Sequence, residues 1–324
     1  MANIALLNRC NLSCPYCFAN GYLEDEKSDI TRAALLRLLD FCAPEREVGI
    51  IGGEPLLHKD FDELLKIVNN DLRFQKITVF TNGVFIDKHL DSLDSPKICV
   101  LVNANSRDDM GDMQFNKMDE NIGLLLKRTS ARVSLGINVY KVGQDFSDFI
   151  YLLKKHRIEK IRVSVVIPNM ALLREKKQSG IDYFMEMKPT LLNLYRELIN
   201  LRVSPYYDCN AIPECVYTEE EKRVLEALPF YSEFERQIFL GKRSVCSPVI
   251  DLYPDMTATR CFGCYGMGRV KIEDFDSIFD LKNYFFKEID SRLVHPYAWD
   301  KCRDCYKYKT FGCFGGCLCY KENR

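Results

Sequence analysis

The chain has 324 residues, enough for one large domain with a small one or for two domains of ordinary size. A hydrophobic content of 47% and a charged content of 28% are typical of a globular protein, and a formal net charge of -1 excludes recruitment of nucleic acid or an anionic membrane by bulk charge. No apolar run reaches the roughly 18 residues that span a bilayer, and no signal-peptide pattern is present, so we expect a cytoplasmic protein without nucleic-acid or membrane partners.

Short apolar segments alternate with amphipathic ones over the first half of the chain, as expected for six β-α units that build a parallel sheet. Helical spacing recurs between the apolar segments, as at Phe61, Leu64, Leu65 and Val68. Periodicity by itself leaves a doubly wound sheet and an incomplete barrel as alternatives. The predicted strands are Ile4–Leu7, Val48–Ile51, Ile77–Phe80, Ile98–Val102, Val133–Val139 and Ile161–Ile167.

The pattern changes in the second half of the chain. A helix is predicted at Lys188–Arg202 with Pro189 in its first turn, followed by an extended segment at Val203–Asn210. Glycine, proline, aromatic and cysteine residues dominate from Cys246 onward, with one further helix predicted at Leu281–Arg292. We therefore predict three parts: residues 1–203, a bridging segment at residues 204–245, and a small, irregular, cysteine-rich C-terminal domain at residues 246–324.

Cysteine is abundant and clustered, with 15 residues in the chain. Because the chain is large enough to build its own core and lacks a signal peptide, metal ligation explains these residues better than a disulfide scaffold. Thirteen of them lie in two groups, one before residue 18 and one between Cys209 and Cys319. The remaining two, Cys42 and Cys99, fall in apolar helix and strand patterns and are predicted to be inert core residues.

The first group forms a Cys-x3-Cys-x2-Cys array, Cys10, Cys14 and Cys17, on the loop that leaves the first predicted strand. Three thiolates on one short loop can bind three irons of a cubane and leave the fourth iron without a protein ligand. A structural zinc site needs four protein ligands and usually uses paired Cys-x2-Cys knuckles. The array therefore favours a [4Fe-4S] cluster with one open iron over zinc.

This array, with Tyr16 directly before its last cysteine, resembles the cluster motif of the radical S-adenosylmethionine superfamily. Two further matches come at the ends of the next two strands, Gly52-Gly53-Glu54-Pro55 and Thr81-Asn82-Gly83. The resemblance implies an α/β fold, a partial (β/α)6 TIM-like barrel. It also implies that the enzyme binds one [4Fe-4S] cluster and S-adenosylmethionine, which it cleaves reductively to a 5'-deoxyadenosyl radical that abstracts a substrate hydrogen.

The resemblance also implies which residues contact S-adenosylmethionine. The glycine pair Gly52-Gly53 lacks Cβ atoms and lets the backbone approach the methionine amino group, while Glu54 adds a complementary charge; a simple turn at the end of the strand is the alternative. Tyr16 is a candidate for packing against the adenine, with shielding of the cluster as the alternative. Asn103, where many relatives carry a serine, is a candidate ribose contact. Asn138 on the fifth strand either points toward the cofactor or only satisfies backbone groups.

The C-terminal cysteines resemble the SPASM type of extension, which holds auxiliary [4Fe-4S] clusters. The resemblance covers residues 246–319 and includes a hairpin at YPDMTATRC, in which Met256 stands where a glycine is usual. By analogy the cysteines divide into two ligand sets: Cys246, Cys261 and Cys317 in the first, and Cys302, Cys305, Cys313 and Cys319 in the second. The fourth ligand of the first set stays open among Cys209, Cys215 and Cys264. A zinc module built from Cys302, Cys305, Cys313 and Cys317 is the alternative.

We expect the protein to be a maturase that modifies a ribosomal peptide or protein by crosslinking, epimerisation or oxidation, because relatives with a SPASM extension commonly do so. The alternatives are a small-molecule radical dehydrogenase or epimerase and a non-catalytic iron-sulfur electron carrier. The expected partners are a peptide or protein substrate and an electron donor such as flavodoxin or ferredoxin, together with one or two auxiliary clusters. Because the chain begins almost directly on the first strand, leader recognition is expected to need a separate partner or another surface. No catalytic acid or base is identified.

Overall fold

The computed structural model describes residues 1–17, 29–166, 178–207, 212–240, 246, 249–295 and 297–321, without the side chains of residues 264–266 and 320. The chain divides into two compact units. Unit 1 comprises Met1–Ser134 and Pro248–Lys287, and unit 2 comprises Leu135–Ser247 and Glu288–Arg324. Cys209 and the side chain of Cys264 lie outside the described residues, and the predicted three-part division of the chain stays a prediction.

The described residues form ten β-strands and twelve α-helices. The strands are β1 Ala2–Ala5, β2 Glu47–Ile51, β3 Lys76–Thr81, β4 Ile98–Asn103, β5 Arg132–Val139, β6 Lys160–Val165, β7 Ser204–Tyr206, β8 Ile250–Leu252, β9 Thr257–Thr259 and β10 Val270–Lys271. The helices are α1 Arg32–Cys42, α2 Phe61–Asn70, α3 Leu90–Leu93, α4 Arg107–Met110, α5 Asp112–Arg128, α6 Ser147–His156, α7 Gly180–Leu201, α8 Glu219–Glu226, α9 Glu233–Phe239, α10 Ile278–Phe285, α11 Ser291–Val294 and α12 Tyr306–Lys309.

Unit 1 is built on parallel strands in the order β8-β1-β2-β3-β4, and β9 and β10 continue from β8 as antiparallel strands. The helical spacing predicted for α2 is confirmed, because Phe61, Leu64, Leu65 and Val68 are all buried. Parallel strands place their carboxyl ends at one edge of a sheet, so the loops after β1, β2 and β3 meet there. The predicted α/β class, with a parallel sheet that does not close, is confirmed.

Unit 2 carries the parallel strands β5, β6 and β7 and the long helix α7. The predicted start of this helix at Lys188 is wrong, since α7 begins at Gly180 and has Pro189 in its interior. The earlier start is explained by a capping box, in which Ser179 and Asp182 each bond the backbone N–H of the other. The apolar face of α7 is buried along its length, and this packing outweighs the backbone hydrogen bond that proline removes.

The predicted hairpin in the C-terminal part is confirmed as β8 and β9 in unit 1. Its turn contains Met256 with a φ of 61°, and the Met256 N–H donates to the carbonyl of Tyr253 at 3.0 Å. A positive φ is the left-handed region that glycine adopts without a Cβ penalty. The backbone therefore explains why glycine is usual at this position.

A buried carboxyl group connects this hairpin to β1. Asp251 is fully buried, and its Oδ1 accepts a 2.8 Å hydrogen bond from Asn3 Nδ2. Among the described residues, neither Oδ2 of Asp251 nor Oδ1 of Asn3 has a hydrogen-bond partner. Burial raises the pKa of Asp251 well above its ordinary value, and the negative charge of Cys261 acts in the same direction. The neutral form of Asp251 is thus favoured in the folded state.

Replacing Asp251 with asparagine is expected to remove a pH dependence of stability. Unfolded aspartate ionises near pH 4, so the folded state binds more protons above that pH and the free energy of unfolding of the wild type falls as pH rises toward the folded pKa. Asparagine does not ionise, and it carries a donor at the atom that has no partner in Asp251. Urea unfolding at about pH 5, 7 and 9 measures the slope. Parallel pH profiles for wild type and Asp251→Asn would contradict the assignment, and the exposed Asp276→Asn serves as the control.

Candidate cluster and cofactor site

The three cysteines of the array are brought together in unit 1 by the loop after β1. Cys10, Cys14 and Cys17 are half-buried, and a turn closes where the Cys17 N–H donates to the carbonyl of Cys14 at 3.0 Å. Burial raises the pKa of the Cys14 thiol to about 12, and the charges of Cys10 and Cys17 act in the same direction. Cys17 packs against a buried apolar cluster: Ala5, Ile51 and Tyr253. The three thiols lie on one loop, and the charges of Cys10 and Cys17 raise the pKa of Cys14. This arrangement fits a cluster held by three thiolates.

Two asparagine side chains lie against the sulfur atoms of the array. Asn105 Nδ2 donates to Cys14 Sγ at 3.5 Å, and its Oδ1 accepts a hydrogen bond from the Tyr16 hydroxyl. Asn82 Nδ2 lies 4.0 Å from Cys10 Sγ. Hydrogen-bond donors to cluster sulfurs stabilise the anionic ligand and tune the reduction potential of an iron-sulfur cluster. The loop therefore presents its thiols together with polar groups suited to a bound cluster.

The glycine pair after β2 packs directly against the cluster loop. The Gly53 N–H donates to the carbonyl of Leu7 at 3.0 Å, and the Glu54 N–H donates to the carbonyl of Arg9 at 2.9 Å. A Cβ atom at Gly53 would lie 2.2 Å from the Arg9 carbonyl oxygen, and one at Gly52 would lie 2.7 Å from that of Leu7. Both glycines are needed for this close approach of two backbones. Their predicted contact with the methionine amino group stays a prediction.

Glu54 joins the ends of β2 and β3. Glu54 is 1% exposed. Its Oε1 accepts hydrogen bonds from Leu56 N at 3.2 Å and from Thr81 Oγ1 at 2.7 Å. Its Oε2 accepts a hydrogen bond from Asn82 N at 2.7 Å. Burial raises the pKa of Glu54 to about 7, although the three donors oppose the shift. Asn82 in turn donates to Asn11 Oδ1 in the cluster loop at 2.8 Å. Glu54 therefore orders the end of β3 against the cluster loop. This role is additional to the complementary charge that the sequence predicts for it.

The remaining predicted residues have different surroundings in the two units. Asn103 is half-buried at the end of β4 in unit 1. Asn138 lies on β5 in unit 2, where its Oδ1 accepts a 3.0 Å hydrogen bond from Arg162. Cys261 belongs to unit 1 and the other predicted auxiliary ligands belong to unit 2. Cys302, Cys313, Cys317 and Cys319 are buried, and Cys246, Cys261 and Cys305 are half-buried.

Asn82 and Asn105 were absent from the predicted set of site residues. A signal existed for each of them. Asn82 lies within the triad that starts at Thr81, and Asn105 follows Asn103 by two residues, the spacing that puts side chains on the same side of an extended chain. Contact with Cys14 nevertheless depends on the folded loop, because Asn105 and Cys14 are 91 residues apart in sequence.

In the described part of the chain, no helix is long and apolar enough to cross a membrane. Residues 4–138 match the family model described as the Radical SAM superfamily. A probable GTP 3',8-cyclase of Methanocella arvoryzae is 38% identical over 92 residues, which are 28% of this chain and 29% of that protein. A 7,8-dihydro-6-hydroxymethylpterin dimethyltransferase of Methanocaldococcus jannaschii is 34% identical over 88 residues, 26% of this chain and 17% of that protein. The matched segment thus spans less than a third of either relative.

The fold of almost the whole chain is similar to that of SuiB from Streptococcus suis. Crystal structures of SuiB bound to S-adenosylmethionine and to the precursor peptide SuiA match 98% of this chain with TM-scores of 0.60 and 0.61. The matched regions cover 72% and 71% of the two SuiB chains, and the sequence identity is 17% in both. At this identity the likeness shows the fold alone.

Proposed function

We propose that this chain, whose residues 4–138 match the radical SAM family model, is an enzyme that binds one [4Fe-4S] cluster through Cys10, Cys14 and Cys17 and cleaves S-adenosylmethionine reductively. Cys10, Cys14 and Cys17 would hold the cluster, which would supply the electron for reductive cleavage of S-adenosylmethionine and thereby the radical chemistry that removes a substrate hydrogen atom. The observation that carries the proposal is the packing of the three-thiol loop after β1 against the Gly52-Gly53 backbone after β2.

The residues around the loop have distinct tasks in this proposal. Asn105 and Asn82 donate hydrogen bonds toward the sulfurs of Cys14 and Cys10, which favours the thiolate form that binds iron. The predicted binding region for S-adenosylmethionine is lined by Tyr16, Glu54 and the Gly52-Gly53 pair. The Tyr16 hydroxyl is held by its hydrogen bond to Asn105. Asn103 and Asn138 remain the predicted contacts from the later strands.

We propose a peptide or protein as the substrate, modified by crosslinking, epimerisation or oxidation. The fold likeness to SuiB supports this substrate class, because SuiB was crystallised with its precursor peptide. The C-terminal cysteines are proposed to hold one or two auxiliary [4Fe-4S] clusters, and a flavodoxin or ferredoxin is proposed as the electron donor. A cytoplasmic location stays a prediction.

A second candidate is a small-molecule radical dehydrogenase or epimerase. The match to a probable GTP 3',8-cyclase and to a pterin dimethyltransferase favours a small substrate, although it covers only the N-terminal segment of this chain. Hydrogen transfer from the substrate to 5'-deoxyadenosine distinguishes the peptide-modifying enzyme from the small-molecule enzyme. GTP and deuterated peptides encoded beside the gene are supplied separately, and deuterium in 5'-deoxyadenosine supports the peptide, whereas GTP-dependent turnover supports the small-molecule enzyme.

Removing the three loop thiols is expected to abolish cleavage of S-adenosylmethionine. The protein is reconstituted anaerobically with iron and sulfide, reduced with dithionite, and assayed for 5'-deoxyadenosine. The triple variant Cys10→Ala, Cys14→Ala, Cys17→Ala should lose about four irons per chain and all product, since these three thiolates are the proposed protein ligands of the cluster. Cys99→Ala, outside the array, should retain both. A wild-type protein that binds iron without forming 5'-deoxyadenosine would favour the electron carrier and overturn the proposal.

A further inference from the structure

Three of the C-terminal cysteines lie on one folded-back segment of unit 2. Cys302 and Cys313 are 7% and 9% exposed, and Cys305 is half-buried. The Cys305 N–H donates to the carbonyl of Cys302 at 3.2 Å, and the Cys313 N–H donates to the carbonyl of Lys307 at 3.2 Å. Burial raises the pKa of Cys302, and the charges of Cys313 and Cys305 add to the shift. The backbone hydrogen bonds therefore place the three cysteines on one folded segment.

A short turn from the bridging segment contacts the segment that carries Cys302, Cys305 and Cys313. The carboxylate of Glu214 is paired with Lys307 Nζ, which lies between Cys305 and Cys313 in the chain. Pro213 Cδ lies 3.7 Å from the position that a Cβ atom at Gly316 would take, an ordinary van der Waals distance. Cys215 follows Glu214 directly in the 3-10 turn Glu214–Val216. These contacts hold Cys215 beside the three-thiol segment.

The negative charges of the three cysteines on the C-terminal segment act on the Cys215 thiol. Partial burial of its sulfur raises the pKa of the Cys215 thiol to about 11, and the negative charges of Cys313, Cys302 and Cys305 each act in the same direction. Cys215 as a whole residue is nevertheless exposed. An exposed residue needs no thiol for packing, so burial in a core does not account for this cysteine.

The turn that carries Cys215 is anchored from its other side. Lys188 on α7 is 9% exposed, and its Nζ donates to the carbonyl of Val216 at 3.2 Å and pairs with Glu221 at 2.9 Å. Thr218 and Glu221 form a capping box at the start of α8. The position of Cys215 is thus set by the protein itself, which is the preorganisation that a ligand site requires.

A buried positive charge lies near the same thiols. Lys321 is 3% exposed, and its Nζ donates to the Tyr308 hydroxyl at 2.6 Å and to the carbonyl of Val294 at 3.3 Å. Its charge lowers the pKa of Cys302, against the larger effect of burial. Four thiolates around an iron-sulfur cluster carry net negative charge, and a buried ammonium group compensates such a charge.

We infer that Cys215 completes a four-thiolate site with Cys302, Cys305 and Cys313, and that this site holds an auxiliary iron-sulfur cluster. The assignment differs from the sequence expectation, in which Cys319 closes the set. Among the described residues, no three His, Cys, Asp or Glu side chains are arranged to hold one metal ion. A [4Fe-4S] cubane binds each thiolate through a different iron and so accepts wider separations. The geometry rests on unit 2 alone, whereas the choice of iron-sulfur over zinc rests on the proposed function.

The test uses the full chain with Cys10, Cys14 and Cys17 replaced by alanine, so that only auxiliary clusters contribute iron. In this background Cys215→Ala, Cys319→Ala and Cys42→Ala are reconstituted with iron and sulfide and compared by iron and sulfide content and by electron paramagnetic resonance after reduction. Cys215→Ala is expected to lose about one to four irons per chain and the corresponding signal. Cys42→Ala and Cys319→Ala are expected to retain them. Circular dichroism checks folding, and Cys215→Ser keeps the side-chain volume.

An unchanged iron content and signal in Cys215→Ala, or the loss of both in Cys319→Ala alone, would overturn the assignment of Cys215. About one zinc per chain in place of iron would overturn the assignment of a cluster. Absence of any iron in the triple background would do the same. Failure of the proposed function is a separate result, because it concerns 5'-deoxyadenosine formation by the wild type and not iron bound in this background.

Discussion

Gly53→Ala is expected to prevent cluster loading at the loop after β1 and to lower the free energy of unfolding by about 3 kcal/mol, the upper end of the usual cost of overpacking. A Cβ atom at this position would lie 2.2 Å from the carbonyl oxygen of Arg9 and 2.4 Å from its carbonyl carbon. Both are backbone atoms directly before Cys10, so no side-chain rotation relieves the collision. The loop must move away from β2, and the hydrogen bond from Glu54 N to the Arg9 carbonyl breaks with it.

Iron content after anaerobic reconstitution and urea unfolding measure the two effects of Gly53→Ala. Gly143→Ala is the matched control, because Gly143 has a φ of +69° with no atom within 4 Å of an added Cβ. It carries the cost of a left-handed backbone, about 1 kcal/mol, without a collision. If Gly53→Ala loaded iron as the wild type does, the close approach of the two backbones would be irrelevant to the site.

Glu54→Gln is expected to lower the free energy of unfolding by about 1–3 kcal/mol and to weaken cluster binding. The buried carboxylate accepts from Leu56 N and Thr81 Oγ1 on one oxygen and from Asn82 N on the other. In either orientation the amide group of glutamine places its NH2 against a backbone N–H. Because two donors then face each other in a buried site, one stays unsatisfied. Asn82, released from β2, no longer holds Asn11 in the cluster loop.

The measurement on Glu54→Gln is made at about pH 8. Since burial raises the pKa of Glu54 to about 7, the carboxylate is the main form of the wild type there. Glu63→Gln on α2 is the matched control, because its side chain is 60% exposed and its Arg32 partner lies 3.6 Å away. That change should alter stability by less than about 0.5 kcal/mol. Equal effects of the two variants would show that the Glu54 hydrogen bonds do not order the site.

Both predictions concern one feature, the junction of three strand ends. The loop after β1 supplies the thiols, Gly53 after β2 supplies space for it, and Glu54 connects it to the end of β3. Since each contact is made by backbone or buried polar groups, loss of one is not compensated by solvent.

The sequence by itself determined the six strands of the parallel sheet and the spacing of the cysteine array. All six predicted strands are present, because alternating apolar and amphipathic segments reflect local burial that a linear pattern records. The spacing of Cys10, Cys14 and Cys17 is likewise local, and eight residues are enough to state it. The prediction for α7 starts eight residues late, because proline favours the first turn of a helix, whereas the capping box at Ser179 starts α7 earlier and leaves Pro189 in its interior.

Only the tertiary structure decided which groups support the thiols. Asn105 contacts Cys14 across 91 residues, and Glu54 meets Asn82 across 28 residues. Lys307 meets Glu214 beside Cys215 across 93 residues. No local pattern encodes such pairs, because they depend on the order in which parallel strands assemble and on how the C-terminal segment folds back. The sequence thus predicts Cys10, Cys14 and Cys17 as cluster ligands, whereas the packing of distant segments determines which polar groups surround their sulfur atoms.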